Sequence, residues 1–177
     1  MSTKNLTISI IVFCALIIGA YYMAQGNKVT DKPSGASIIN NSDKPSQNKF
    51  NGEEGESVNL VGDEVQIAES EFEGSTANFY NTVLSSGETV YYFVVRDSDG
   101  IFRAAANACQ VCFDERKGFH QEGDYMVCDT CRSKYPLSKI ATEKGGCNPG
   151  PINPNLEVID GNVIIKEADL DEVVFFF

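Results

Sequence analysis

Hydrophobic patterning divides the chain into three regimes. Residues 6–24, LTISIIVFCALIIGAYYMA, are apolar and uncharged along their whole length. A helix of roughly 20 such residues crosses the hydrocarbon core of a bilayer. Lys4 precedes the run, and Tyr21 and Tyr22 fall where an interfacial aromatic belt lies. A cleaved signal peptide fits less well, because Tyr22 stands two positions before Ala24 where a small residue is needed. Lipid attachment at Cys14 is disfavoured by the bulky Phe13 before it. The pattern therefore predicts a short tail over residues 1–5 and one transmembrane anchor over 6–24, with the bulk of the chain extracytoplasmic. Residues 25–57 are rich in Asn, Ser, Gly, Lys and Pro, and contain the tetrapeptide DKPS twice, at Asp31 and Asp43. Such a stretch buries too little apolar surface to offset its ordering entropy and is expected to be a flexible tether.

From residue 58 onward the pattern turns to short β-type runs. TANFYNTVL and TVYYFVVRDSDGIFRAAANA are dense in aromatic and β-branched residues, with Asp97 and Gly100 in the turn between the second pair of strands. Near the end, Asp160 and Gly161 separate two apolar runs as a two-residue hairpin loop does. VQIAESEFE from Val65 resembles VIIKEADLD from Val163, which aligns Ile67 with Ile165, Glu69 with Glu167 and Phe72 with Leu170. In both, a short strand runs into an acidic turn whose apolar residue can fold back on the sheet. The expected fold is a mainly β (β-rich α+β) small domain over residues 58–177, carrying a zinc-ribbon-like double cysteine knuckle and preceded by one transmembrane helix.

Charge narrows the range of partners. The formal net charge is -11 and the sequence pI about 4.5. Nucleic acid is excluded as a partner, since phosphate binding requires clustered Lys and Arg. The acid is unevenly spread: from Arg103 to Lys144, seven basic residues meet six acidic ones. Arg103, Lys117 and Arg132 are candidates to offset the negative charge of a thiolate-bound metal.

That central segment also carries the chemistry. Six cysteines are present, and Cys14 belongs to the apolar run. Cys109, Cys112, Cys128 and Cys131 form Cys-x2-Cys-x15-Cys-x2-Cys, a spacing that suits a tetrahedral metal because each pair offers two corners from one tight knuckle. Zinc, a single iron and an iron-sulfur cluster all use such donors. Cys147, in KGGCNPGPINP, is a further candidate ligand or redox partner, or a buried free thiol. Outside the membrane, disulfides compete with metal, although five thiols cannot all pair. His120, the single histidine, lies between the two pairs and reads as a polar-loop residue rather than a ligand. Phe113 and Arg132 follow the two pairs, which excludes a c-type haem motif. No hydrolytic triad, phosphate-cradling glycine loop or carboxylate pair is present, so no independent enzyme activity and no catalytic residue is expected.

FYNTVLSSGETVYYFVVRDSDGIFRAAANACQVC, KGFHQEGDYMVCDTCRSKYP and KGGCNPGPINP, in that order, resemble the membrane iron-sulfur protein family whose domain is similar to the D component of bacterial iron transport systems. The resemblance implies an extracytoplasmic domain that binds an iron-sulfur cluster or iron through Cys109, Cys112, Cys128, Cys131 and Cys147. It also implies a membrane permease or redox partner of metal uptake and a role in electron transfer. Larger members of the family carry a multi-helix membrane part where this chain has one apolar run. The alternative is a structural zinc-ribbon module that docks a membrane or extracytoplasmic partner.

Overall fold

The computed structural model describes residues 49–177. The expected tail and anchor, and the tether up to residue 48, lie outside the described residues. No helix among the described residues is long and apolar enough to cross a membrane.

A five-stranded sheet forms the centre, in the order β1-β3-β4-β5-β9. Its strands are β1 (Glu56–Ser57), β3 (Asn78–Val83), β4 (Thr89–Arg96), β5 (Phe102–Cys109) and β9 (Pro149–Asn153). The β4 sequence TVYYFVVR alternates between two cores. Tyr92 and Val94 face one apolar cluster, and Phe93 and Val95 face the other. All residues of β5 are buried, as expected of a central strand covered on both faces. Alanine dominates it because both covering layers approach closely.

A three-stranded sheet covers one face, in the order β10-β11-β2, with β2 (Glu64–Ala68), β10 (Glu157–Ile159) and β11 (Asn162–Lys166). Val65, Ile67, Val163 and Ile165 bury into the first cluster with Tyr80, Tyr92 and Phe102. The two similar segments of the sequence are neighbours here, with Ile67 opposite Val163 and Val65 opposite Ile165. Each leads into a helical turn, Glu69–Glu71 after β2 and the short helix α1 (Glu167–Asp171) after β11, and Phe72 and Leu170 return to the same core. The expected hairpin is present: Ile159 pairs with Asn162, and Asp160 and Gly161 both have positive φ, 50° and 77°.

A second three-stranded sheet, β6-β7-β8, covers the opposite face, with β6 (Phe119–Glu122), β7 (Tyr125–Cys128) and β8 (Lys134–Pro136). Phe119, Met126 and Cys128 pack there with Phe93, Val95, Ala105 and Cys109. The cysteines thus sit where this small sheet meets the end of β5.

The folded body begins earlier than residue 58. Phe50 is buried, stacks on Tyr91 at 4.3 Å between ring centroids and meets the edge of Phe177 at 5.7 Å. The Asn107 side-chain amide donates to the Glu53 carbonyl at 2.9 Å. A Cβ at Gly55 would overlap the backbone of Phe79 and Tyr80, so that glycine permits the close approach from which β1 pairs in parallel with β3. Residues 49–57, expected as the end of the tether, are therefore packed against the domain. Their one large apolar residue and two glycines were too sparse a pattern to read as structure.

Candidate metal centre

Three chain segments deliver the thiols, and strand pairing places each of them. Cys109 ends β5 and is buried. The chain turns after it, with the Cys112 N–H donating to the Cys109 sulfur at 3.3 Å, and Cys112 opens the helical turn Phe113–Glu115. Cys128 ends β7, opposite Phe119 of β6. The Phe119 N–H donates at 2.7 Å to the side-chain oxygen of Asn107, two residues before Cys109, which fastens the second knuckle to the first.

The turn from β7 to β8 is closed by Cys128 N–H donating to the Ser133 carbonyl at 3.0 Å and Arg132 N–H donating to the Cys128 carbonyl at 2.9 Å. Arg132 adopts the left-handed conformation there, φ 64°. Cys147 arrives by the opposite edge of the central sheet. Pro149 of β9 pairs with Cys109, and Cys147 lies two residues ahead of it. Prolines at 149 and 151 are tolerated because β9 is an edge strand with an irregular register.

The outcome is a cluster of five free thiols. Cys109, Cys112 and Cys147 form one group and Cys112, Cys128 and Cys131 another, with the sulfurs of each group all within 4.8 Å of one another. Cys112 belongs to both. Burial pushes the Cys112 thiol well above the usual range, and the adjacent Cys109 and Cys128 push it the same way. Burial also raises Cys128, against the opposing effect of the Cys131 and Thr130 backbone N–H groups. Cys147 is raised first by its contact with the Cys131 sulfur and then by burial. Cys131 is the exposed member and is pulled down to about 6, chiefly by Ser133.

Several thiols that resist ionisation beside one another, with backbone N–H groups aimed at sulfur, form a donor set matched to a cation. The cation replaces the protons and removes the mutual repulsion of the thiolates. All five cysteines predicted from the sequence are brought together, and the residues present fit a thiophilic metal.

The three cationic side chains expected to offset the site all meet carboxylates. Arg103 is buried, and its Nε donates to Asp97 at 2.6 Å. Lys117 pairs with Glu115 at 3.9 Å, and Arg132 with Glu122 at 3.2 Å and Asp129 at 3.5 Å. Each is paired with a carboxylate, in keeping with the acidic composition. Both ring nitrogens of His120 are engaged, Nδ1 with Asp129 at 2.6 Å and Nε2 with Glu122 at 3.0 Å, so His120 stands apart from the sulfurs. Two neighbours of the thiols were missed in the sequence. The Ser133 hydroxyl lies 3.3 Å from the Cys131 sulfur, and Tyr135 is close enough for its phenol to be raised by burial and then by Cys147, Cys131 and Cys109. Their positions two and four residues beyond Cys131 were the available signal.

The fold and the sulfur cluster together define a small, mainly β domain whose clustered cysteines could hold a metal ion. The chain belongs to the family described as membrane iron-sulfur containing protein FtrD-like, which it matches over residues 72–177. That region contains all five clustered cysteines. No curated protein matches the chain. Among solved structures, the crystal structure of the quaternary ammonium Rieske monooxygenase CntA in complex with an inhibitor aligns at 16% identity over 59% of this chain and 32% of that chain, with a TM-score of 0.38. At that score the likeness carries no inference about fold or function.

Proposed function

We propose that this protein is a membrane-anchored, extracytoplasmic metal protein that holds iron or an iron-sulfur cluster on Cys109, Cys112, Cys128, Cys131 and Cys147 and relays electrons during iron uptake. The observation that carries the reading is the convergence of five free thiols from three segments into two groups that share Cys112. Membership of a membrane iron-sulfur family supports iron as the metal. Residues 6–24 serve as the single-pass anchor, and the polar stretch up to residue 48 lets the domain reach a permease or redox partner in the same membrane.

A thiolate-held iron centre supplies one-electron chemistry when bound. The protein's own residues set the conditions for it. The Cys112 backbone N–H donates to the Cys109 sulfur, and such donors stabilise the more negative, reduced state of a sulfur-ligated centre. Phe119, Met126 and Ile140 exclude water from the buried side of the cluster, while Cys131 lies at the surface and leaves a short route for exchange with a partner. No acid, base or nucleophile is assigned, and the protein acts as a component of a relay rather than as a separate enzyme.

Elemental analysis and a visible absorption spectrum of the full chain, purified anaerobically in detergent, test the reading. Bound iron with sulfur-to-iron bands that bleach on reduction is the expected result. A colourless protein holding zinc would replace it with a structural metal module, because zinc has no redox chemistry. Thiols found paired as disulfides with no metal would remove the proposed role.

A further inference from the structure

The sulfurs do not form a simple set of four corners with a bystander. They form two triads joined at one vertex: Cys109, Cys112 and Cys147 on one side, Cys112, Cys128 and Cys131 on the other. A single tetrahedral ion takes four sulfurs. With only one ion bound, one of the five clustered sulfurs would be left without a metal. The cations that could have offset such a site, Arg103, Lys117 and Arg132, pair with carboxylates instead.

Charge points the same way. Four thiolates on one divalent ion, with the fifth sulfur protonated, leave two uncompensated negative charges, and five thiolates on two divalent ions leave one. Burial of Cys109 and Cys128 makes the larger imbalance costly, because a desolvated charge needs a partner.

Resting on the proposed metal-binding function, we infer that the cluster is a two-cation site in which the Cys112 sulfur is shared. With Cys112, Cys109 and Cys147 give one ion three sulfurs, and Cys128 and Cys131 give the other three, leaving the fourth position of each tetrahedron to solvent. Binding releases the thiol protons to solvent and requires no electron transfer. Cys112 suits the shared role by position, since it follows the β5 end that holds Cys109 and its sulfur also lies within reach of the β7–β8 turn.

The test uses the reduced, metal-free full chain in detergent, with C14S so that only the five clustered thiols are counted. It is titrated anaerobically with 113Cd2+, and bound cadmium is measured by elemental analysis and cadmium NMR. Two equivalents are expected, as two resonances in the sulfur-rich region, mutually coupled through a common thiolate. C147A is expected to reduce bound cadmium from two equivalents to one while the circular dichroism spectrum is unchanged.

One equivalent bound by the protein with all five thiols would overturn the two-cation site and leave the single-centre reading intact. No bound cadmium would overturn both. Two resonances without coupling, or a folded C112A protein that still binds two equivalents, would show that Cys112 is not shared. Because the stoichiometry and the coupling are read before any ligand is replaced, a variant that fails to fold does not decide the outcome.

Discussion

His120 illustrates how a side chain can lie close to a metal-binding motif in sequence and still serve a different purpose. Its Nε2 reaches Glu122 and its Nδ1 reaches Asp129, and these carboxylates, Glu122 foremost, raise its pKa above the ordinary histidine value. In return, Lys134 and then His120 hold Glu122 down to about 2. For a base whose folded pKa is raised, the stabilisation is complete below the unfolded value near ~6.5 and is lost as pH rises through the folded value. NMR titration of this single imidazole is therefore expected to give a midpoint above ~6.5, and D129N is expected to lower it. A midpoint at or below the unfolded value would contradict the network. The sequence places His120 in a polar loop, whereas the structure puts it in strand β6 opposite Val127, with both ring nitrogens bonded to carboxylates. The partner Asp129 was not legible, because the pairing of β6 with β7 is what brings residues nine apart within 2.6 Å.

At the scale of elements, the two knuckles are positioned by a joint that contains no cysteine. Asn107, fully buried in β5, accepts from Phe119 N–H and donates to the Glu53 carbonyl. One amide thereby ties together the central sheet, the start of β6 and the amino-terminal segment. Gly118 lies directly against it with φ 69°, and a Cβ there would stand 2.5 Å from the Asn107 side-chain oxygen. G118A therefore meets left-handed strain of about 1–2 kcal/mol and displaces a buried hydrogen-bonding group worth about 1–3 kcal/mol. A combined loss of roughly 2–5 kcal/mol in chemical denaturation is expected, together with weaker metal binding as the knuckles separate. A loss below ~0.5 kcal/mol, the range of an ordinary surface substitution, would show that the joint is not needed. In the sequence, Gly118 reads as one more turn glycine, because its particular constraint comes from a residue eleven positions earlier.

Over the whole molecule, the domain closes on itself through its ends. Phe50, near the point where the chain enters the described structure, is held between Tyr91 of β4 and the terminal Phe177. Phe176 is buried in the first core, and its carbonyl accepts from the Arg116 guanidinium at 2.6 Å. Residues 49–57 are thus fixed on the same body that carries the sulfur cluster. Truncating a buried phenylalanine removes about 3–5 kcal/mol of packing, here spent largely on the short segment 49–57. F50A is expected to raise amide hydrogen exchange across residues 49–57 far more than across β4 and β5. Unchanged protection of that segment would show that other contacts hold it.

The sequence by itself determined the cysteine spacing, the hairpin at Asp160 and Gly161, the β character of the domain and the acidic composition. Each of these is local, decided by residue type, alternation or a spacing of a few positions. Tertiary structure alone decided that Cys147 joins Cys109 through the pairing of β9 with β5, that Cys112 belongs to both sulfur groups, and that Arg103 and Arg132 meet carboxylates. Those outcomes depend on which strand edges meet. Strand pairing is fixed by the burial of both faces of the central sheet, a property of the assembled layers that no short stretch of the chain contains.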